Sequence, residues 1–172
     1  FILVVTVAGG ITVWSFYNKV FAPNVKMEES STRFVYIPTG AGFIDVLRIL
    51  DEQGLLKNSA SFQWVAEQMK YTRNVKPGKY QVRKGMNNRE LISLLRSGKQ
   101  TPVRLTFSNI RTVYELAGVA GARLETDSAS IAFLMKDNEF QKKYGFTGEN
   151  SLCVLIPKTY EFYWNTSAEE FY

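Results

Sequence analysis

The sequence predicts an α+β chain headed by a transmembrane helix, with two folded stretches behind it. Three observations carry this reading. Residues 1–18, FILVVTVAGGITVWSFYN, are uncharged and mostly apolar, and the first charge is Lys19. Residues 32–82 show strand, helix, helix and strand patterns in that order. A second alternating strand, 102–108, then opens a series of short helix patterns. The 172 residues are 45% hydrophobic, enough for a real core in one domain or in two small ones.

The opening run is at the lower length limit for crossing a bilayer. Trp14, Phe16 and Tyr17 gather at its far end, as an interfacial aromatic belt does. The alternatives are a cleavable signal core or a buried helix. A signal needs small residues at its cut, whereas the exit here reads NKVFAPN, with Pro23 poorly placed to follow one. The transmembrane helix is therefore set at 1–21 and a short polar linker at 22–31. The chain opens on Phe1 and stops at Tyr172 in mid-pattern, so a fragment of a longer protein is expected.

In TRFVYIP (32–38), Phe34 and Tyr36 alternate among β-branched neighbours, which predicts a strand ended by Pro38. The PTGAG turn has too few glycines, wrongly spaced, for a phosphate loop. Phe43, Val46, Leu47 and Leu50 recur at helical spacing, and Gly54 closes that helix. Asn58 or Ser59 can cap a second helix with Phe62, Val65, Ala66 and Met69 on its apolar face. PGKYQV (77–82) is a turn into a strand. Asn87 followed by Glu90 has capping-box spacing and starts a third helix, which Gly98 ends. PVRLTFS (102–108) alternates Val103, Leu105 and Phe107 as a strand. Helices are predicted near 111–122, 127–135 and 137–144, and another from Thr166 or Ser167. With only one strand among them, residues 101–172 are expected to pack loosely.

Composition excludes several chemistries. There is no histidine, so Ser-His-Asp and Cys-His catalysis and histidine-ligated metals are out. The single cysteine, Cys153, allows neither a thiolate zinc cage nor an internal disulfide. The formal charge is +5, unevenly spread: residues 70–111 carry eleven Lys/Arg against one acid, Glu90. That stretch is either a solvated face or a contact for an acidic polymer. Nucleic acid is one candidate, with Tyr71, Tyr80 and Phe107 as stacking residues. These aromatics fall at core-like spacing, and a membrane tether suits anionic wall material or lipid headgroups better, so no nucleic-acid partner is assigned.

KPGKYQVRKGMNNRELISLLRSGKQTPVRLTF (76–107) resembles the MltG/YceG-like family of endolytic murein transglycosylases. The matching positions are Gly78, Tyr80, Gly85, Met86, Glu90, Leu91, Ile92, Leu95, Ser97 and Gly98. LIPKTYEFYWNTSAEEF (155–171) is similar to the family's Phe-Pro-Asp-Thr-Tyr loop through Pro157, Thr159 and Tyr160, in a form like that of Bacteroidetes members. Two departures stand out. Leu152 and Cys153 replace a Glu-Gly pair frequent in relatives, and Lys158 replaces an Asp or Asn.

The resemblance implies a LysM-like βααβ subdomain with its following helix over 32–100, and the start of an α+β catalytic domain over 101–172. It implies cleavage of glycan strands between MurNAc and GlcNAc, leaving 1,6-anhydroMurNAc ends. The family's catalytic Glu lies in an Ile-Glu-Lys-Glu-Thr-like motif that does not occur in residues 1–172, so no catalytic residue is assigned here. The implied substrate-binding residues are Pro157, Thr159, Tyr160, Glu161 and Asn165. Glu161 either lines the sugar cleft or is an ion-paired surface group. Tyr160, Tyr163 and Trp164 either stack on sugars or serve the core. Asn165 and Thr166 also read as turn and cap, and Glu149 as a surface residue. No metal and no cofactor is expected; the family's other label, a pyridoxal-phosphate lyase, finds no supporting lysine and phosphate cup. The implied partners are peptidoglycan glycan strands, inner-membrane lipid and peptidoglycan synthases. The implied location is the inner membrane, single-pass, with the globular part periplasmic. A non-catalytic, membrane-anchored peptidoglycan-binding module is the alternative, favoured by the missing Glu-Gly.

Overall fold

The computed structural model describes residues 13–27, 32–147, 152 and 156–172. The chain divides into two compact units, Phe1–Gln100 and Thr101–Tyr172. Both mix helix and strand, so the protein is α+β. Among the described residues no helix is long and apolar enough to cross a membrane. Most of the predicted transmembrane span lies outside the described residues; its described end, 13–21, is helical.

The first unit pairs β1 (Thr32–Ile37) with β2 (Gly78–Arg83) antiparallel, with Val35 opposite Tyr80. Between them run α1 (Phe43–Glu52), α2 (Ser59–Gln68) and a 3₁₀ turn, Tyr71–Arg73; α3 (Asn88–Ser97) follows β2. The alternation of a half-buried sheet sends Val35, Ile37, Tyr80 and Val82 inward. There they meet Val46 and Leu50 of α1, Phe62, Val65 and Ala66 of α2, and Leu91, Ile92 and Leu95 of α3. The helix starts are set by side chains. Asn58 accepts from Ser61 N at 2.8 Å. Asn87 accepts from Glu90 N at 2.9 Å while Asn87 N donates back to the Glu90 carboxylate, completing the capping box. Gly98, at φ 72°, ends α3 in the left-handed conformation that glycine adopts without strain.

The predicted linker is different in the structure. Residues 22–27 are built into the first unit, and residues 28–31 lie outside the described residues. Val25 and Met27 are buried in its core. Asn24 N and Val25 N both donate to Met86 O, and Lys26 N donates to Leu55 O at 2.8 Å. The Asn24 side chain is buried and fully used: its amide donates to Asn88 Oδ1 at 2.7 Å and to Asn58 O, and its carbonyl accepts from Asn58 N. Asn88, also buried, donates to Lys19 O at 2.8 Å and to Ser61 Oγ. A short polar stretch reads as a linker because the side-chain partners of Asn24 lie 34 to 64 residues away.

The second unit pairs β3 (Val103–Phe107) with β4 (Lys158–Phe162) antiparallel. Its helices are α4 (Val113–Gly121), α5 (Ser128–Lys136), α6 (Asn138–Lys143) and α7 (Ala168–Phe171). Thr112, Asp127, Asp137 and Ser167 cap them. The expectation of loose packing is corrected here. Residues predicted as a loop form β4, and the completed strand pair covers a core of Leu105, Phe107, Leu116, Ala120, Ile131, Met135 and Phe171. Helices α4 and α5 meet closely at Gly121, where an added Cβ would lie 2.5 Å from Ser128 N.

Two substitutions probe the first unit. The Tyr71 hydroxyl is buried without a hydrogen-bond partner, whereas Tyr80 OH donates to Lys76 O at 3.0 Å. Burial pushes the Tyr80 phenol from 10.0 up to about 12 and Tyr71 higher still. Both folded values lie above the unfolded one. The stability they contribute is therefore complete below pH 10 and is lost as pH climbs through the folded values. Tyr71→Phe is expected to be neutral or stabilising by up to about 1 kcal/mol at pH 7 and to soften the alkaline loss, read by denaturant titration. Asn88→Ala strands the Asn24 amide and is expected to cost roughly 2 kcal/mol in the same measurement.

Candidate functional site

The residues implicated by the sequence lie on and around β4. Strand pairing decides which of them share a face. Arg104 stands opposite Glu161, Thr106 opposite Thr159, Leu105 opposite Tyr160, and Phe107 opposite Lys158. Because strand side chains alternate, Thr159 and Glu161 point outward together and Tyr160 and Phe162 point toward the core. The outward face is polar. Arg104 Nε donates to Glu161 Oε1 at 2.8 Å, and the hydroxyls of Thr106 and Thr159 bond at 2.8 Å.

Behind this face an aromatic layer fixes the strand. Phe107 contacts Tyr160 and Phe171, and Phe162 contacts both Tyr160 and Phe171. The Tyr160 hydroxyl also accepts from Ile156 N at 3.2 Å and donates to Ile156 O at 3.1 Å. These two hydrogen bonds hold the backbone just before Pro157. Lys158 Nζ lies 4.8 Å from the Tyr160 ring centre, a cation–π contact. Where β3 ends and β4 begins, Pro157, Leu152, Phe107, Ser108, Asn109 and Ile110 line a pocket of about 180 Å³. Asn109 adopts φ 56°, a left-handed turn that Asn tolerates better than most residues.

Asn165 lies in the turn after β4, and its Oδ1 is buried without a partner. Trp164 O accepts from Glu125 N at 2.7 Å, tying this turn to the loop after α4. Tyr163 is exposed. Pro157, Thr159 and Glu161 are thus gathered at one open face and its end, whereas Tyr160 serves from behind. Glu161 sits in an open ion pair with a side chain 52% exposed. Glu149 and Cys153 lie outside the described residues. Arg104, Thr106, Ser108 and Asn109 belong to the same surface and were missed. The alternation of β3 already turned Arg104 and Thr106 outward, but no sequence signal showed that β4 would pair with them.

The nucleic-acid alternative loses its stacking residues: Tyr71, Tyr80 and Phe107 are buried, as their core-like spacing indicated, and cannot take a base. Among the described residues no three His, Cys, Asp or Glu cluster closely enough to hold a metal ion.

The family model for YceG-like proteins matches residues 35–172, which takes in most of the first unit and all of the second. This chain belongs to the YceG-like family. A solved protein from Listeria monocytogenes, itself described only as yceG-like, is 26% identical, with 82% of this chain and 52% of that one covered and a TM-score of 0.41. The YceG-like chain thus spans about half the length of that solved relative. No curated protein matches it.

Surface ion pairs contribute little to stability, with a usual range of about 0–1 kcal/mol. Glu161→Gln in this YceG-like chain is therefore expected to shift unfolding free energy by less than about 1 kcal/mol. A larger loss in thermal or denaturant unfolding would make the carboxylate a structural group, not one available to a ligand.

Proposed function

We propose that the whole protein is an endolytic lytic transglycosylase. In this reading it cuts nascent peptidoglycan between MurNAc and GlcNAc and leaves 1,6-anhydroMurNAc ends. Membership of the YceG-like family is the observation that carries the reading. The chemistry needs one carboxyl acting twice. It first protonates the glycosidic oxygen as the bond from muramic C1 breaks. The muramic 6-hydroxyl then attacks C1, and its proton passes to the same carboxylate. The C1–O6 bond replaces the glycosidic bond and no water is consumed, so the two-carboxylate spacing of ordinary glycosidases does not apply.

The resemblance assigns that carboxyl to a motif absent from residues 1–172. The part proposed for this chain is to hold the strand. Thr106 and Thr159 offer hydroxyls, Arg104 and Glu161 offer a charged pair, and Pro157 with Asn109 lines the pocket at the end of that face. The first unit is proposed as a LysM-like subdomain that keeps glycan near the catalytic part. Residues 1–21 are proposed to anchor the protein in the inner membrane with both units periplasmic, within reach of peptidoglycan synthases.

A glycan-binding module without catalysis is the second reading. It is favoured by Leu152 and Cys153 in place of the Glu-Gly pair frequent in relatives.

Purified full-length protein incubated with glycan strands decides between them. The enzyme reading expects anhydromuramic ends by mass spectrometry, and Glu161→Gln is expected to raise KM more than it lowers kcat. Strands retained but uncut by wild-type protein would favour the module.

A further inference from the structure

Among the described residues of the first unit, the helical stretch 13–21 carries the largest set of exposed aromatics. Trp14 is 67% exposed, and Phe16, Tyr17 and Phe21 are exposed as well. Trp14 stacks toward Tyr17, and Tyr17 meets Phe21 at 5.0 Å between ring centres. This collar does not stand apart from the folded unit. Phe16 meets the edge of Trp64 of α2 at 5.5 Å, Lys19 Nζ lies 5.3 Å from the Trp64 ring, and Arg89 of α3 lies 5.7 Å from the Phe21 ring.

Below the collar lies a cleft of about 500 Å³. Trp14, Lys19, Lys57, Asn58 and Asn88 help to line it, and no carboxylate does. The buried Asn24–Asn88 amide pair, with Asn88 holding Lys19 O, locks the helix end to α2 and α3. Aromatic rings beside cations, with no acid among them, match the interface of a bilayer bearing anionic phospholipid.

We propose that the first unit rests directly on an anionic bilayer surface, with Trp64 at headgroup depth and Lys19, Lys57 and Arg89 facing lipid phosphates. The amide clip makes this a fixed seat and not a swinging tether. The proposal rests on the anchor reading above. It adds that the folded unit itself, through α2 and α3, is part of the membrane contact.

The test uses full-length protein in vesicles of phosphatidylethanolamine and phosphatidylglycerol carrying headgroup nitroxide lipid. Two forms are compared, with Trp14 or Trp64 as the sole tryptophan and Phe at the other tryptophan positions. The expected result is comparable loss of fluorescence for both. Lys57→Glu with Arg89→Glu, both surface changes, is expected to tilt the unit away from the surface and relieve quenching of Trp64 more than that of Trp14, which lies nearer the anchor. Replacing phosphatidylglycerol by phosphatidylcholine is expected to do the same. Quenching of Trp14 with none of Trp64 would overturn the seat and leave the anchor standing. Quenching of neither would overturn both. Quenching of Trp64 that ignores the charge reversals would remove the role given to lipid phosphate.

Discussion

The pairing of β3 with β4 is the constraint on which the candidate site depends. A strand has two faces, and a slip of one residue exchanges them. With Thr106 opposite Thr159, two hydroxyls and an ion pair look outward and three aromatic rings pack inward. Slipped by one, β4 would drive Thr159 and Glu161 against Phe107 and Phe171 and expose Tyr160 and Phe162, and an unpaired buried carboxylate costs several kcal/mol. The aromatic layer therefore chooses the register, and the register assembles the polar face. Surface ion pairs such as Arg104–Glu161 add little to that choice.

The first unit uses a different device for a similar end. Its apolar core positions the sheet against three helices, but the path of residues 22–27 is specified by amides. Asn24 donates to Asn88, and both satisfy backbone groups around them inside a desolvated setting. A buried polar network tolerates few alternative arrangements, because each broken bond leaves a group unpaired. Such a network gives the segment before β1 one course, which composition alone cannot indicate.

Most of the helices were legible from local chemistry. Asn58, Asn87, Asp127, Asp137 and Ser167 cap the helices their spacing predicted, since a cap is a bond between residues two or three apart. Strands β1, β2 and β3 were legible from alternation. What escaped was non-local. TYEF follows Pro157 in a stretch that resembles a family loop, so it read as a loop, and only its partner 53 to 59 residues away makes it a strand. The same reason hid Arg104, Thr106 and Asn109 from the candidate site. Tyr71 and Tyr80 illustrate the converse, aromatics whose core-like spacing proved the better guide than the basic residues around them.

The family, the outward face of β4 and its terminal pocket form one account only if the β3–β4 pair has the stated register. Cross-strand disulfide formation tests this directly. In a Cys153→Ser background, Thr106→Cys with Thr159→Cys is compared with Thr106→Cys with Glu161→Cys under mild oxidation. Directly opposed residues stand about 4.5–5.5 Å apart and a diagonal pair about 7–8 Å, beyond the usual reach of a disulfide. The account predicts a bond in the 106–159 pair and none in the 106–161 pair. The reverse pattern would contradict it and remove the face on which the glycan-holding proposal stands.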